Sequence, residues 1–406
     1  MPTGVQQLDA QTTLVRIRTR HAILAPTRRL RAVFALFHVS DEGMEVTTPI
    51  PAGTTLAVSF ELSAAQGAPG RTLARATFGG QAMLASPAGD LAETDPVDIA
   101  TAFGGDIDRV GPGDVVWIKQ EWRFPAGAAT LPITDSSGGS TGVTGEGCFY
   151  GGTGSVDVPG SLAAQGGSAR LNRLLRPFLV LGEHREVAVA GIGDSITFGK
   201  GAANPAGDGS NATNGGWFAM AAYAAGRPHS KLAKPGDRAT FWTATSASRR
   251  IAAAATFHTH ALIALGTNDL ADNDDQSAAL LAAHGALRGR LKAANPGLVL
   301  HAAQVPLRVS ASIDGYTTLA GQRPTPGYSL TDSERGAANE GLRQAVGTDL
   351  DGVFDLNPAM AAAEQPDRWK VNGTANWYTS DGTHPSQVCA VEMAAIVRPM
   401  LDAMRV

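Results

Sequence analysis

The chain has 406 residues, more than one average domain needs, and its 43% hydrophobic and 17% charged residues are the balance of a globular protein, not of a disordered or fibrous one. Its formal net charge of −4 gives no global basic field to attract nucleic acid. No segment approaches the roughly 18 consecutive apolar residues of a membrane span, and two cysteines, Cys148 and Cys389, make neither a disulfide framework nor a zinc-type spacing.

The first half reads as β structure. Its opening, MPTGVQQLDAQTTLV, lacks a basic region followed by an apolar one. The default expectation is therefore a cytoplasmic protein, or a secreted one whose leader has been removed. Val15 and Ile17 interleave with Arg16 and Arg18, and Val33 to Val39 is a mostly apolar strand. From Thr54 to Leu62 the residues alternate: Leu56, Val58, Phe60 and Leu62 share one face, and Ala57, Ser59 and Glu61 the other. That period of two predicts a half-buried strand. Asp114 to Phe124 is a longer strand, and core packing is the expected role for at least one of its tryptophans, Trp117 and Trp122. Gly and Pro punctuate these runs at Ala68-Pro69-Gly70 and Gly111-Pro112-Gly113, and Ser136 to Gly154 has a loop composition. Several short strands with such turns predict a β-sandwich or jelly roll over residues 1–184. This half carries no catalytic constellation, and a carbohydrate-binding face is a minority reading.

A different texture begins at Arg185, after a connector from Leu171 to Leu181. Val187 to Ala190 is an apolar run ending in Gly191-Ile192-Gly193-Asp194-Ser195. This fits a buried parallel strand whose carboxyl end presents a serine. A polar loop, Asn204 to Gly216, follows, and then an Ala-rich helix from Trp217 to Ala225. Lys231 to Ala233 is a weak strand leading to Lys234-Pro235-Gly236-Asp237, and Ser248 to Ala255 is helical. Ala261 to Leu265 is a strand ending in Gly266-Thr267-Asn268-Asp269. Leu280, Ala283, Leu287 and Leu291 recur at helical spacing within Gln276 to Ala294. Strands follow at Leu298 to Val305 and Val353 to Leu356. Between them lie a long polar insertion, Val309 to Leu330, and a capping box at Thr331-Asp332-Ser333-Glu334. Ser380-Asp381-Gly382-Thr383-His384 precedes a closing helix, Ser386 to Met404. Strand and helix alternate, so the second half, residues 185–406, is α/β with a mostly parallel sheet.

Gly-Asp-Ser, then Gly-x-Asn-Asp, then Asp-x-x-His, in this order, resembles the SGNH (GDSL-type) hydrolases, over residues 185–406. The resemblance implies a three-layer α/β/α, flavodoxin-like domain behind the β-rich one, and a serine esterase with no cofactor and no metal. The chemistry of the residues agrees. A serine hydroxyl is a poor nucleophile until a base takes its proton, and an imidazole can do so. Asp381, three residues before His384, is close enough to hold the ring N–H and fix its tautomer. The tetrahedral intermediate needs donors aimed at its oxyanion. The backbone N–H of Ser195, the backbone N–H of Gly236 and the side-chain amide of Asn268 are the candidates, and by resemblance these are the oxyanion-hole positions. The family often has Asn two residues before the glycine; here Lys234-Pro235 precedes it. Asp269 is expected to support the Asn268 turn, and His229, His258, His260, His284 and His301 to be structural or surface residues.

The first functional expectation is hydrolysis of a short acyl ester through an acyl-enzyme. Trp217, Trp377 and Tyr378 flank the motifs beside polar segments, which suits an O-acetylated carbohydrate as partner better than a long lipid chain. The alternatives are a lipase or thioesterase, for which no amphipathic apolar lid is visible, and a non-catalytic carbohydrate-binding or adhesion protein on the same scaffold, for which the triad would have to be broken.

Overall fold

A computed structural model describes all residues except 65–71, 104–106, 128, 134–145, 153–154, 161, 170–175, 203–214, 244, 271–275 and 330–332. The Ala68-Pro69-Gly70 turn and all but the last two residues of the polar loop 204–216 lie outside the described residues. The chain divides into two compact units: among the described residues the first takes in those of Met1–Ser40 and Glu45–Glu186, the second those of Asp41–Met44, Val187–Ala206 and Asn211–Val406.

The first unit holds β1 (Leu14–Ala22), β2 (Arg29–Ala35), β3 (Thr55–Ala64) and β4 (Asp114–Arg123) where strands were expected, and also β5 (Gly147–Tyr150) and β6 (Leu179–Gly182), which fall in stretches read as a loop and a connector. They pair antiparallel. β5-β1-β4-β3 lie side by side in a seven-stranded sheet, and β2 and β6 pair in a four-stranded one. In register, Trp122 stands opposite both Val15 and Leu56. Val15, Ile17, Leu56, Val58, Phe60, Ile118 and Trp122 share one core with Leu30, Ala32 and Phe34 of the other sheet, which makes the unit a sandwich. The second face of β3 departs from the expected half-buried strand, for Ser59 and Glu61 are buried as well. Glu61 takes Arg18 at 2.8 Å, Lys119 at 3.5 Å and the Gly160 N–H at 3.1 Å. Trp117 lies on this face too, with the Arg18 guanidinium 3.5 Å over its ring.

In the second unit the expected strands are β7 (Val189–Gly193), β8 (His229–Ala233), β9 (His260–Ala264), β10 (Val299–Ala303) and β13 (Gly352–Phe354), and three polar stretches not read as strands form β11 (Val309–Ser312), β12 (Gln322–Pro324) and β14 (Gln365–Trp369). The main helices are α1 (Ser195–Phe198), α2 (Trp217–Ala224), α3 (Ser248–Phe257), α4 (Gln276–Ala294), α5 (Glu334–Gln344) and α6 (Gln387–Ala403). Five strands pair in parallel in the order β8-β7-β9-β10-β13, the flavodoxin-like arrangement. α2 and α6 pack together over Val189 and Leu262, while α3, α4 and α5 pack in a row. The insertion after β10 is a hairpin of β11 and β12, with Tyr316 and Tyr328 both buried. The cap of α5 is Ser333, whose hydroxyl accepts the Gly336 N–H at 3.4 Å; Thr331 lies outside the described residues. Glu334 instead reaches the Ser277 N–H of α4. Both cysteines are buried and free. Among the described residues no helix is long and apolar enough to cross a membrane.

Candidate active site

The sheet register gathers the motifs. Gly193, the last residue of β7, stands beside Ala233 of β8 and Ala264 of β9. Ser195, Gly236 and Asn268 therefore follow the carboxyl ends of three adjacent strands, where doubly wound sheets bind their ligands. Gly193 belongs to the strand itself and does not need a left-handed conformation. A Cβ there would lie 2.3 Å from Thr197 Oγ1 and 3.0 Å from the Ala264 carbonyl, so close packing of α1 demands the glycine. Asp194 then caps α1, its Oδ1 accepting the Ile196 N–H at 2.9 Å, and Ser195 is the first helical residue.

His384 Nε2 lies 2.8 Å from Ser195 Oγ, and His384 Nδ1 lies 2.6 Å from Asp381 Oδ2. The other carboxylate oxygen accepts the backbone N–H groups of Thr383 at 2.9 Å and His384 at 2.8 Å. An ionised carboxylate only accepts, so Nδ1 carries the proton and Nε2 is free to accept from the serine. Burial raises the Asp381 carboxyl, but the His384 ring and the two backbone donors outweigh it and hold the group well below the usual carboxylate range. Gly201, left-handed at φ 85°, passes under this turn; a Cβ on it would come within 2.8 Å of the Pro385 carbonyl.

The second and third oxyanion candidates share a loop. Lys234-Pro235-Gly236-Asp237 is closed by the Asp237 N–H to the Lys234 carbonyl at 3.1 Å, with Pro second and a glycine at φ 81° third, the residue pattern of a type II turn. Asn268 Nδ2 donates to the Asp237 carbonyl at 2.9 Å, which leaves its amide a second N–H. Asp269 was expected to support the Asn268 turn; its carboxylate instead accepts the N–H groups of Ala239 at 3.0 Å and Thr240 at 3.3 Å and braces the segment that follows Gly236. Asp237 itself is buried against Arg250 at 2.7 Å and Trp242 Nε1 at 3.0 Å.

Residues 192–388 match the GDSL-like lipase/acylhydrolase family. This part of the chain is a GDSL-like hydrolase domain. The protein is accordingly a serine ester hydrolase. No curated protein sequence matches it. Among solved structures it is similar to a family two carbohydrate esterase from Clostridium thermocellum in complex with cellohexaose, at 12% identity and TM-score 0.38, covering 98% of each chain. It is also similar to a family two carbohydrate esterase from Cellvibrio japonicus, at 11% identity and TM-score 0.39, covering 96% of this chain and 98% of that one. The lipase Lip_vut3 from a goat rumen metagenome covers 52% of this chain and 96% of its own, at 15% identity and TM-score 0.36. Likenesses this distant say nothing of this chain's substrate.

The GDSL-like domain does not place all the expected substrate contacts at its surface. Trp217, expected to flank a substrate, is 0% exposed and packs in the core with Phe218 at an edge-to-face angle, so it offers no face to a ligand. The Ala-rich helix has apolar residues all round, and its sequence does not tell which side is covered. Tyr378 is half-buried, its ring 5.9 Å from Lys370 Nζ on the side of α6. Trp377 is 40% exposed and stands at the stem of the turn that carries Asp381 and His384, where its carbonyl accepts the Ser386 hydroxyl.

Two features of the domain were not read from sequence. Burial pushes the Asp194 carboxyl up to about 7, with Asp237 and Asp269 adding to the effect against the Ile196 N–H and the Thr267 side chain. Lys231, buried on β8, donates to the carbonyls of Phe198 and Gly215, each at 2.9 Å. It thereby staples the end of α1 to the start of α2, where Gly199 and Gly216 come so close that a Cβ on either would lie 2.7 Å from the other's backbone. A lone lysine in a weak strand gives no such signal. Among the described residues no group of three or more His, Cys, Asp and Glu side chains could hold a metal ion.

Proposed function

We propose that the GDSL-like domain hydrolyses short-chain acyl esters through an acyl-enzyme, with Ser195 as nucleophile, His384 as general base and Asp381 as its orienting anion. The observation that carries this is the unbroken line of contacts, Ser195 Oγ to His384 Nε2 at 2.8 Å and His384 Nδ1 to Asp381 at 2.6 Å. As Ser195 Oγ attacks the acyl carbon, its proton passes to Nε2. The imidazolium returns that proton to the departing alkoxide, and a water then repeats the cycle on the acyl-serine. The Ser195 and Gly236 N–H groups and the spare N–H of Asn268 are the donors we assign to the oxyanion. We assign residues 1–184 as an accessory β-rich domain.

We favour an O-acetylated carbohydrate as the ester. Small and polar residues such as Gly201, Gly236, Asn268 and Thr383 lie in the segments that carry the triad and the oxyanion candidates, and the adjoining segment 204–216 is polar by composition. A long acyl chain needs continuous apolar surface, worth about 0.8 kcal/mol per buried CH₂, and unpaired polar groups would cost free energy against it. Trp377, 40% exposed, is the aromatic residue we assign to a sugar. The test is kcat/KM over a p-nitrophenyl ester series from acetyl to octanoyl, with Ser195→Ala as control. Acetyl should be preferred, and Ser195→Ala should lose roughly 10⁴-fold or more. A steady rise towards octanoyl moves the enzyme to the lipases, and an active Ser195→Ala removes the serine mechanism.

A further inference from the structure

The turn that carries Asp381 and His384 is held at Gly382 from three sides. Its carbonyl accepts the indole N–H of Trp369 at 3.0 Å and the backbone N–H of Val309 at 2.9 Å. Its own N–H goes to Thr379 Oγ1 at 3.0 Å, and Thr379 is fully buried. The residue must be glycine: φ is 75°, and a Cβ would lie 2.1 Å from the Val309 carbonyl and 2.7 Å from the Tyr316 hydroxyl. Tyr316 is buried at φ 64°, a conformation uncommon for a bulky residue and found where the surroundings impose it. Ser312 Oγ fixes that backbone by accepting the Tyr316 N–H at 2.8 Å.

Trp369 is itself anchored. It is 0% exposed, at the end of β14, and its backbone forms a two-bond pair with the side-chain amide of Gln322 on β12. Gln322 Nε2 donates to the Trp369 carbonyl at 2.9 Å, and the Trp369 N–H donates to Gln322 Oε1 at 2.8 Å. A tryptophan needed only for packing does not require its N–H at this place; a buried indole N–H aimed at one loop carbonyl fixes a position. We propose that Trp369 is a positioning residue for the reaction: pinned by Gln322, its indole N–H fixes the Gly382 peptide and thereby sets the imidazole of His384 against Ser195. The inference rests on the roles given above to Ser195, His384 and Asp381.

The experiment is a double-mutant cycle with p-nitrophenyl acetate, measuring kcat and KM for the full-length wild type, Trp369→Phe, His384→Ala and the double variant. Misplacement of a catalytic group by about 1 Å can cost 100-fold. Trp369→Phe should therefore lower kcat about tenfold or more with KM little changed. In the His384→Ala background the same substitution should cost nothing further, because no imidazole remains to be positioned. A general structural role would take the same factor from both backgrounds, and that result overturns the proposal, as does an unimpaired Trp369→Phe. If Trp369→Phe does not fold, Thr379→Val removes the acceptor of the Gly382 N–H, on the peptide that precedes the one Trp369 holds, and the same two outcomes decide. A fully active His384→Ala would remove the triad reading and the proposal with it, whereas an inactive His384→Ala beside an active Trp369→Phe removes the proposal alone.

Discussion

Asp381 shows how far a single residue's surroundings determine its part. Three donors from His384 and Thr383 overcome the upward push of burial, so the carboxyl lies below its ordinary value and is ionised throughout the assay range. For a depressed carboxyl the charge is lost only as pH falls through the lowered value. Acidifying an assay from pH 8 to 5 should therefore leave Asp381 charged, and any acid limb of the rate belongs to another group. Asp381→Asn should reduce kcat at pH 8 by roughly 10⁴-fold; a near wild-type kcat there would contradict the assignment. The meeting of the Ser195, Asp381 and His384 side chains was legible because each sits in a short motif whose neighbours, Gly193, Asp194 and Gly382, are dictated by local geometry. Trp369 was not legible. Its partner is a backbone carbonyl 13 residues away, and no side-chain pattern marks such a contact.

At the scale of elements, hydrophobic period gave the helix Gln276–Ala294 to the residue and most strands to within two or three. β8 began earlier than its weak apolar run because β7 pairs with it from His229, opposite Val189, onward; the Lys234 N–H continues the same ladder to the Gly193 carbonyl at 3.2 Å. β3 exposes the limit of such reasoning. Its alternation was correct, yet what covers the second face comes from about a hundred residues further along, where Gly160 donates to Glu61. Removing one partner of a buried ion cluster is costly because the remaining charges stay buried. Glu61→Gln removes the negative charge that faces the buried Arg18 and Lys119 and should destabilise the first unit by about 3 kcal/mol or more, read as a lower urea midpoint. An unchanged midpoint would mean that the cations find other acceptors.

Across the whole molecule, buried titratable groups give stability a pH dependence of two opposing signs. His258 and His284 are buried, and burial pushes both down to about 4 from 6.5. His284 donates Nε2–H to the Leu265 carbonyl while its Nδ1 has no partner, so a second proton there would be unpaired. Their contribution is complete above about pH 6.5 and is lost as pH falls towards 4. Asp194 acts oppositely: its folded value near 7 lies above the ordinary 3.8, so its contribution is present below about pH 4 and is lost as pH rises to about 7. Asp194→Asn keeps an oxygen for the Ile196 N–H and removes the titration. The difference in Tm between this variant and the wild type should move in the variant's favour as pH rises from about 4 to 7, then level off. A difference independent of pH would show that Asp194 is not the titrating group.

The near-contact of Gly199 with Gly216 has a consequence for how such an enzyme can diverge. The chain leaves the nucleophile helix and re-enters the fold at one point, held there by Lys231. A Cβ on either glycine would press on the other's backbone, so a substitution at either position must move α1 or α2. Ser195 opens α1, and a change at Gly216 would therefore be felt at a serine far from it in sequence.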